Sequence, residues 1–422
     1  MQWIYPFGIQ LLKFALKLHG RFNKKSQKAI EGRKHLFEEL GSRFSNNKRP
    51  VAWFHAASLG EFEQGRPLIE YFKQHHPNYF ILLTFFSPSG YEVRKNYELA
   101  DHVSYMPFDT EKNAQEFVNI TQPKMAFFIK YEFWHFHLKA LEDSNCWIFS
   151  VSSIFRSKQA YFKWYGGFYR NMLKKVDHFF VQNGHSKALL NGIGLNNVSI
   201  SGDTRFDRVH HITQEVKEIT SIKAFCAEHP TLIGGSTWEP DVKVIAHFLQ
   251  QNQEWKAIIA PHDISEANLK KHENLLNVKS IRYSQLDKER NLDPYQVVII
   301  DNIGMLTSLY QYGDAAFIGG AFGAGLHNTL EAACFGLAIF FGDKNFDKFQ
   351  EANELLEIQA ASTVSSAEEF SGLMHKLITE EAIPTMGEKS KHYIAENIGA
   401  TEKIMAHIDP IIEKITHESQ SI

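Results

Sequence analysis

From residue 51 onward, short apolar runs alternate with amphipathic helical stretches, the pattern of a parallel sheet covered by helices. In the first half the runs fall at 51–56, 79–85, 102–107, 125–130, 147–151, 178–182 and 198–202. The pattern stops near 205–215, where a polar stretch from His210 to Lys223 leads to a new run at 231–234. The second half repeats the scheme at 232–235, 257–260, 297–301, 315–319 and 337–341, then ends in long helical patterns. No tandem repeat or low-complexity segment interrupts it. The expectation is an α/β chain of two consecutive Rossmann-like, doubly wound domains, with ligands at the carboxyl ends of the strands in the cleft between them. A length of 422 residues agrees, since domains run to about 100–200 residues each.

The segment ahead of the first strand reads differently. An apolar stretch from Trp3 to Leu18 is broken by Lys13 and Lys17, and Arg21, Lys24, Lys25, Lys28, Arg33 and Lys34 follow. Residues 1–50 hold 11 Lys/Arg against 3 Asp/Glu, a balance of +8 that leaves -11 for the remainder of a chain whose net charge is -3. The stretch is shorter than the roughly 20 apolar residues of a spanning helix, and no small-residue cleavage site follows. It reads as a retained anchor or interfacial helix with a cationic flank toward anionic lipid on the cytoplasmic side. An amphipathic helix packed on the protein's own core is the plainer alternative. The expected division is therefore 1–50, a membrane anchor or basic helical segment; 51–207, a first Rossmann-like domain; and 208–422, a second Rossmann-like domain with C-terminal helices.

Composition adds exclusions. With 44% hydrophobic and 22% charged residues, 26 Gly and 13 Pro, the chain is neither collagen-like, disordered nor multi-spanning. Cys146, Cys226 and Cys334 stand far apart, so no disulfide framework or zinc site is indicated. No D-x-D motif is present and neither metal nor cofactor is expected. The excess basic charge is confined to the front segment, which argues against a nucleic-acid partner.

Candidate chemistry is sought just after strands. The first run leads into Ser58-Leu59-Gly60-Glu61, which places Glu61 at a helix start where a carboxylate can take a proton from an attacking hydroxyl. Complementing the helix dipole, or an S-x-x-E capping box with Ser58, is the plainer explanation of this residue taken alone. The second run leads to Ser87-Pro88-Ser89-Gly90, either a site for an anion or sugar hydroxyls or a plain strand-to-helix turn. Lys130-Tyr131-Glu132-Phe133-Trp134 brings a second carboxylate to the same rim. At the break, Arg205 offers a cation for a phosphate or carboxylate, or else simply pairs with Asp203 or Asp207. In the second half, Gly234-Gly235-Ser236-Thr237 is a short glycine loop suited to phosphate, and Pro261-His262-Asp263 and Asp301-Asn302-Ile303-Gly304-Met305 follow strands at the same edge. The most informative stretch runs from Phe317 through four loop glycines, Gly325 among them, to His327, Asn328, Thr329, Leu330 and Glu331. There a nucleotide is expected, with Glu331 accepting from ribose hydroxyls, against an Asn328/Glu331 capping box.

These motifs, in this order and spacing, resemble one family, the 3-deoxy-D-manno-octulosonic acid (Kdo) transferases of lipopolysaccharide assembly. The resemblance extends to about residue 355 and includes Pro107-Phe108-Asp109, Tyr131-Glu132-Phe133-Trp134, Gly202-Asp203-Thr204-Arg205-Phe206-Asp207 and Gly325-Leu326-His327-Asn328-Thr329-Leu330-Glu331. It implies a two-domain B-type glycosyltransferase fold with 51–207 as the acceptor domain and 208–422 as the nucleotide-sugar domain, CMP-Kdo as donor, a lipid A precursor as acceptor, inversion, and the cytoplasmic face of the inner membrane. It further implies Glu61 as proton acceptor, Glu132 and Arg205 as transition-state stabilisers, and CMP contacts at Pro261-His262, Ile303-Gly304-Met305 and 328–331. Many members have Lys at the position of Arg205, Pro-Arg-His at 261–263 and Met-Gly-Glu at 303–305. A different nucleotide-sugar glycosyltransferase, a nucleotide-sugar epimerase, and a non-catalytic membrane-docked nucleotide-sugar binder are the alternatives.

Overall fold

The computed structural model describes residues 4–420, with side chains to 417. Trp3, which opens the apolar stretch, lies outside the described residues. The chain divides into two contact units, Met1–Arg208 with Ile398–Ile422, and Val209–Asn397.

In the first unit seven parallel strands, β1 (Val51–Ala56), β2 (Phe80–Phe85), β3 (His102–Tyr105), β4 (Pro123–Ile129), β5 (Trp147–Ser153), β6 (His178–Val181) and β7 (Val198–Ile200), lie in the order β3-β2-β1-β4-β5-β6-β7. Every residue of β1 and β2 is buried, because helices cover both faces. Alternation sends Trp53 and Phe128 to one face and Phe54 and Phe127 to the other, each in a separate apolar cluster. Phe54 and Phe127 are register partners whose rings stack 4.5 Å apart.

The last helix, Ala400–Gln420, belongs to this first unit rather than to the second half with which it was expected. Its stripe Ile404, Met405, Ile408 and Ile412 completes the cluster that holds Phe54 and Phe127. A helical stripe in the sequence shows that a helix is covered, not by which sheet. Asp207 fastens its start, accepting from the Gly399 and Thr401 amides and the Thr401 hydroxyl, each at 2.6 Å.

Among the described residues three helices precede β1. Leu36–Phe44 places Leu36, Leu40 and Phe44 in the first cluster. By contrast, helix Ile4–His19 buries only Ile9, and leaves Ile4, Phe7, Leu11 and Phe14 exposed. It is held by Tyr5, whose hydroxyl donates to buried Asp109 at 2.5 Å. Asp109 also accepts from the Phe136 and His137 amides at 3.1 and 2.9 Å, so the same carboxylate fixes the start of helix His135–Asp143. No helix among the described residues is long and apolar enough to cross a membrane.

The second unit has β8 (Thr231–Thr237), β9 (Lys256–Pro261), β10 (Ser280–Arg282), β11 (Val297–Ile299), β12 (Ala315–Ile318), β13 (Ala338–Gly342) and β14 (Ala361–Val364), all parallel, in the order β10-β11-β9-β8-β12-β13-β14. The pattern of apolar runs misses only β10 and β14, the two edges. Of the three residues of β10 only Ile281 is buried, and the middle of β14, Ser362 and Thr363, is half-buried. Short, partly polar edges are how sheets avoid pairing with other chains, so they carry little apolar signal.

Each sheet has one place where successive crossovers turn to opposite sides, between β1 and β4 and between β8 and β12. Ligands of open α/β sheets bind outside the carboxyl ends of such strand pairs. Asp207→Ala should strand the first-turn amides of the last helix and lower unfolding free energy by about 1–3 kcal/mol, measured by urea denaturation.

Candidate active site

Around β1 and β4 the structure brings the two expected carboxylates together. Strand β1 ends at Ala56, and helix Leu59–His75 starts with Ser58 as its N-cap. The Ser58 side chain makes no capping bond, so the reciprocal capping box is absent. Instead Glu61, only 9% exposed, folds back and accepts from the Ala57 amide at 2.6 Å. Burial pushes its carboxyl above the ordinary range, opposed by that amide and by the charge of Lys130. A side chain at Gly60 would meet nothing within 4 Å, so space is open above the helix start.

Glu132 follows β4 and accepts from the Trp134 indole at 3.2 Å. Burial, then the negative charge of Glu61, push its carboxyl up to about 7. Lys130, just before it, holds φ at 63°, and its carbonyl accepts from Ser150 and Ser153 at 3.2 and 2.7 Å. Ser87 lies beside the same rim, since its amide donates to the Ala57 carbonyl at 2.8 Å, while its hydroxyl caps helix Pro88–Arg94 through Ser89. The Ser87 turn is thus internally satisfied as a helix cap.

Arg205 pairs with Asp203, with Nη2 at 2.7 Å and Nε at 2.9 Å from the same carboxylate oxygen. Of the two acidic neighbours weighed in the sequence, Asp203 takes the guanidinium while Asp207 serves the last helix. Asp203 also accepts from Gln64 at 3.4 Å, one turn along the helix from Glu61. Gln64, Asp203 and Lys130 were not foreseen as site residues; Lys130 lay within the quoted motif, but nothing in the sequence marked Gln64.

In the second unit, β8 reaches Ser236 in the left-handed region at φ 51°, and the register with β9 shifts between Gly235 and Thr237. Pro261 ends β9, and the His262 amide donates to the Thr237 carbonyl at 3.0 Å. Trp238 then stacks on His262 at 4.5 Å, and His262 on His327 at 4.7 Å, while the Trp238 indole donates to His327 at 3.3 Å. Burial, then His262, holds the His327 imidazole below its ordinary pKa. In the same loops the hydroxyls of Thr237 and Thr329 are buried and have no hydrogen-bond partner in the protein. Such orphaned buried groups are what a bound ligand satisfies. Beneath, Asp241 accepts from the Trp238 and Gly320 amides at 2.7 and 3.1 Å and ties the two loops together. Gly319 cannot be larger, since a Cβ would lie 2.3 Å from the Ser236 carbonyl.

Glu331 accepts from the Thr307 hydroxyl at 2.6 Å and from the Asn328 side-chain amide at 3.0 Å. Asn328 caps only the Leu330 amide, so this is not a reciprocal capping box either. Leu330 is buried. Gly325, at φ 107°, donates to the Gly320 carbonyl and closes the glycine loop. Ile303 is 87% exposed, in a turn that Gly304 makes at φ 94° and that Met305 ends as a helix N-cap. Thr307, two residues on, is what brings that turn to Glu331. Trp238 and Thr307 escaped the sequence reading: Trp238 follows the Gly235-Ser236-Thr237 loop directly, whereas Thr307 carries no signal of its own. Among the described residues no group of three His, Cys, Asp or Glu is placed to hold a metal.

Residues 33–208 match the family described as 3-Deoxy-D-manno-octulosonic-acid transferase (kdotransferase). Proteins named 3-deoxy-D-manno-octulosonic acid transferase are similar over most of the chain: 26% identity to that of Aquifex aeolicus, over 82% of this chain and 91% of the relative, and 26% to that of Chlamydophila psittaci, over 85% and 83%. This chain is a glycosyltransferase related to the Kdo transferases. A bifunctional glycosyltransferase/methyltransferase of Fusobacterium nucleatum is 24% identical over 98% of this chain, which spans 64% of that protein's length. Among solved structures, a UDP-GlcNAc 2-epimerase from Neisseria meningitidis superposes with a TM-score of 0.60 at 14% identity, over 85% of this chain and 98% of that one. That likeness, like the 0.55 to MurG of Acinetobacter baumannii at 11% identity over 86% of this chain and 99% of that one, shows the two-domain fold alone.

A carboxyl raised from 4.5 to about 7 keeps its proton in the folded protein over a range where the unfolded chain has lost it. Folding stability therefore falls as pH rises from 4.5 through about 7. Glu132→Gln removes this cost. Its melting temperature should match wild type at acid pH and exceed it increasingly as pH rises through neutrality.

Proposed function

We propose that this protein transfers Kdo from CMP-Kdo to a lipid A precursor, at the cytoplasmic face of the inner membrane, with Glu61 as the base. The observation that carries the reading is the buried Glu61 carboxylate, held on the Ala57 amide beside a second carboxyl that titrates near neutrality. Two coupled carboxyls pushed up in a site are the arrangement that divides protonation states between neighbours.

In the proposed step a primary hydroxyl of the glucosamine disaccharide lipid attacks the anomeric carbon of Kdo. Its proton passes to the Glu61 carboxylate as the new carbon–oxygen bond forms. The bond from the anomeric carbon to the CMP phosphate oxygen breaks, CMP leaves with the electron pair, and the anomeric configuration inverts. Glu132 and Arg205 stabilise the charge that develops, with Asp203 fixing the guanidinium. Ser58, Gly60 and Ser87 border the attacking group. CMP is assigned to the second unit, to Ser236, Thr237, Pro261, His262, the 303–305 turn, Gly325, His327 and the 328–331 turn. The unpaired hydroxyls of Thr237 and Thr329 support that assignment. No metal or cofactor enters the scheme. The exposed apolar face of helix Ile4–His19 and its basic flank support a role for the N-terminal segment at the membrane surface.

Glu61→Gln should lower kcat for transfer by about 10²–10⁴, the usual contribution of a positioned base. Mass spectrometry of products from CMP-Kdo and a tetraacylated lipid A precursor would read it. Near wild-type turnover in that variant would refute the assignment, and conversion of UDP-GlcNAc to its C2 epimer without lipid product would instead favour an epimerase. In the wild-type pH profile of kcat/KM, an inflection near the Glu132 value of about 7 is expected. Glu132→Gln should abolish that inflection and move the acid limb, governed by Glu61, to lower pH.

A further inference from the structure

Excess basic charge is not confined to the front segment as the sequence pattern suggested: residues 144–176 contain no Asp or Glu, yet hold Arg156, Lys158, Lys163, Arg170, Lys174 and Lys175. The same stretch carries Trp164 and Tyr165 side by side, 92% and 45% exposed. Neither ring is loose at the end of a slack loop. The Lys163 amide donates to the Ala160 carbonyl at 3.2 Å and the Gly166 amide to the Lys163 carbonyl at 2.9 Å. Arg170 closes the turn from beneath, donating to the Tyr161 and Lys163 carbonyls at 3.2 and 2.8 Å. A Cβ at Gly166 would lie 2.1 Å from the Ala160 carbonyl, so the fold-back admits no side chain there. Tyr161 and Phe162 pack on buried Phe155 and leave only the tip outward.

The tip adjoins the start of the N-terminal helix. Phe168, two residues past Gly166, has its ring 5.5 Å from that of Tyr5, whose helix exposes Ile4, Phe7, Leu11 and Phe14. A hydrogen-bonded turn that presents an indole among cations, in a segment whose Phe168 packs on the N-terminal helix, has the makeup of an interfacial contact: the ring enters the headgroup boundary and the cations meet anionic headgroups. Single-stranded nucleic acid also favours cations with aromatics, but it needs ring faces on which successive bases stack. Here the two rings stand at 86° to each other and offer no such platform.

We propose that the turn bearing Trp164 and Tyr165 is a second membrane contact of this protein, which inserts the Trp164 indole into the interface of an anionic lipid bilayer. It goes beyond the N-terminal contact, and it stands on the geometry of this turn whether or not Glu61 is the base.

The test is sedimentation of the full chain with phosphatidylcholine vesicles, with and without phosphatidylglycerol. Trp164→Ser should lower partition onto the anionic vesicles by about tenfold, and Trp164→Phe should restore most of it. Lys163→Glu should lower it by about fivefold or more, an effect that vanishes in high salt. The same comparison in a Phe7→Ser/Phe14→Ser background keeps the N-terminal helix from masking the loss. Transfer to a detergent-dispersed acceptor should be unchanged in Trp164→Ser, so that a failure of the membrane contact and a failure of the Glu61 reading remain distinguishable. Wild-type partition by Trp164→Ser in both backgrounds overturns the proposal. So does a loss of single-stranded oligonucleotide binding with vesicle binding intact.

Discussion

A parallel sheet covered on both faces confines polar chemistry to the places where the chain leaves the sheet. Along β1 and β2 no residue reaches water, so a carboxylate there would be desolvated without partners. Beyond the carboxyl ends, helix starts supply free amides, and where two adjacent strands send their crossovers to opposite sides a gap opens between them. The first unit places Glu61 and Glu132 after β1 and β4, and the second places Ser236 and Thr237 at the carboxyl end of β8 and the glycine loop after β12, at the two strand pairs where the order reverses. Everything proposed for this chain's chemistry depends on that constraint.

Partial burial gives the carboxylates their chemistry. Water would hold both near their ordinary pKa. Withdrawn from it, Glu61 is kept ionisable by the Ala57 and Ser58 backbone and by Lys130, while Glu132 has only an indole donor and the repulsion of Glu61. The asymmetry lies in the partners rather than in the residue type, which is why the sequence could show two candidate acids and not which of them holds its proton longer.

That limit recurs wherever a contact is long-range. Strand β1 was legible because six consecutive buried residues leave an apolar run, and β10 was not, because an edge strand with one buried residue leaves none. Ser58 and Glu61 had the spacing of a capping box, yet the Glu61 carboxylate went to Ala57 and the Ser58 hydroxyl made no cap. Arg205 had two acids at equal distance along the chain, and the choice between them was made 192 residues away, where Gly399 claims Asp207. Trp238, which organises the two histidines, could be read as just another apolar residue ahead of a helix.

Backbone strain separates the site from its scaffold in a way that side-chain contacts do not. Several non-glycine residues with positive φ merely close helices, as Gln122, Ala227 and Asn277 do at C-caps. Lys130, Ser152 and Ser236 close none. Lys130 precedes Glu132, Ser152 bonds Thr204 beside Asp203 and Arg205 at 2.8 Å, and Ser236 starts the turn that sets Trp238 over His262. A left-handed conformation in such residues costs of order 1 kcal/mol or more each and persists only where the surroundings over-determine it. All three adjoin groups that the chemistry would use, and each redirects the chain as it leaves the sheet. A regular strand exit would point the next side chain along the sheet's alternation. At Lys130 and Ser236 the left-handed residue interrupts the extended backbone two residues before Glu132 and Trp238, so the strain falls where the chain passes from sheet to site.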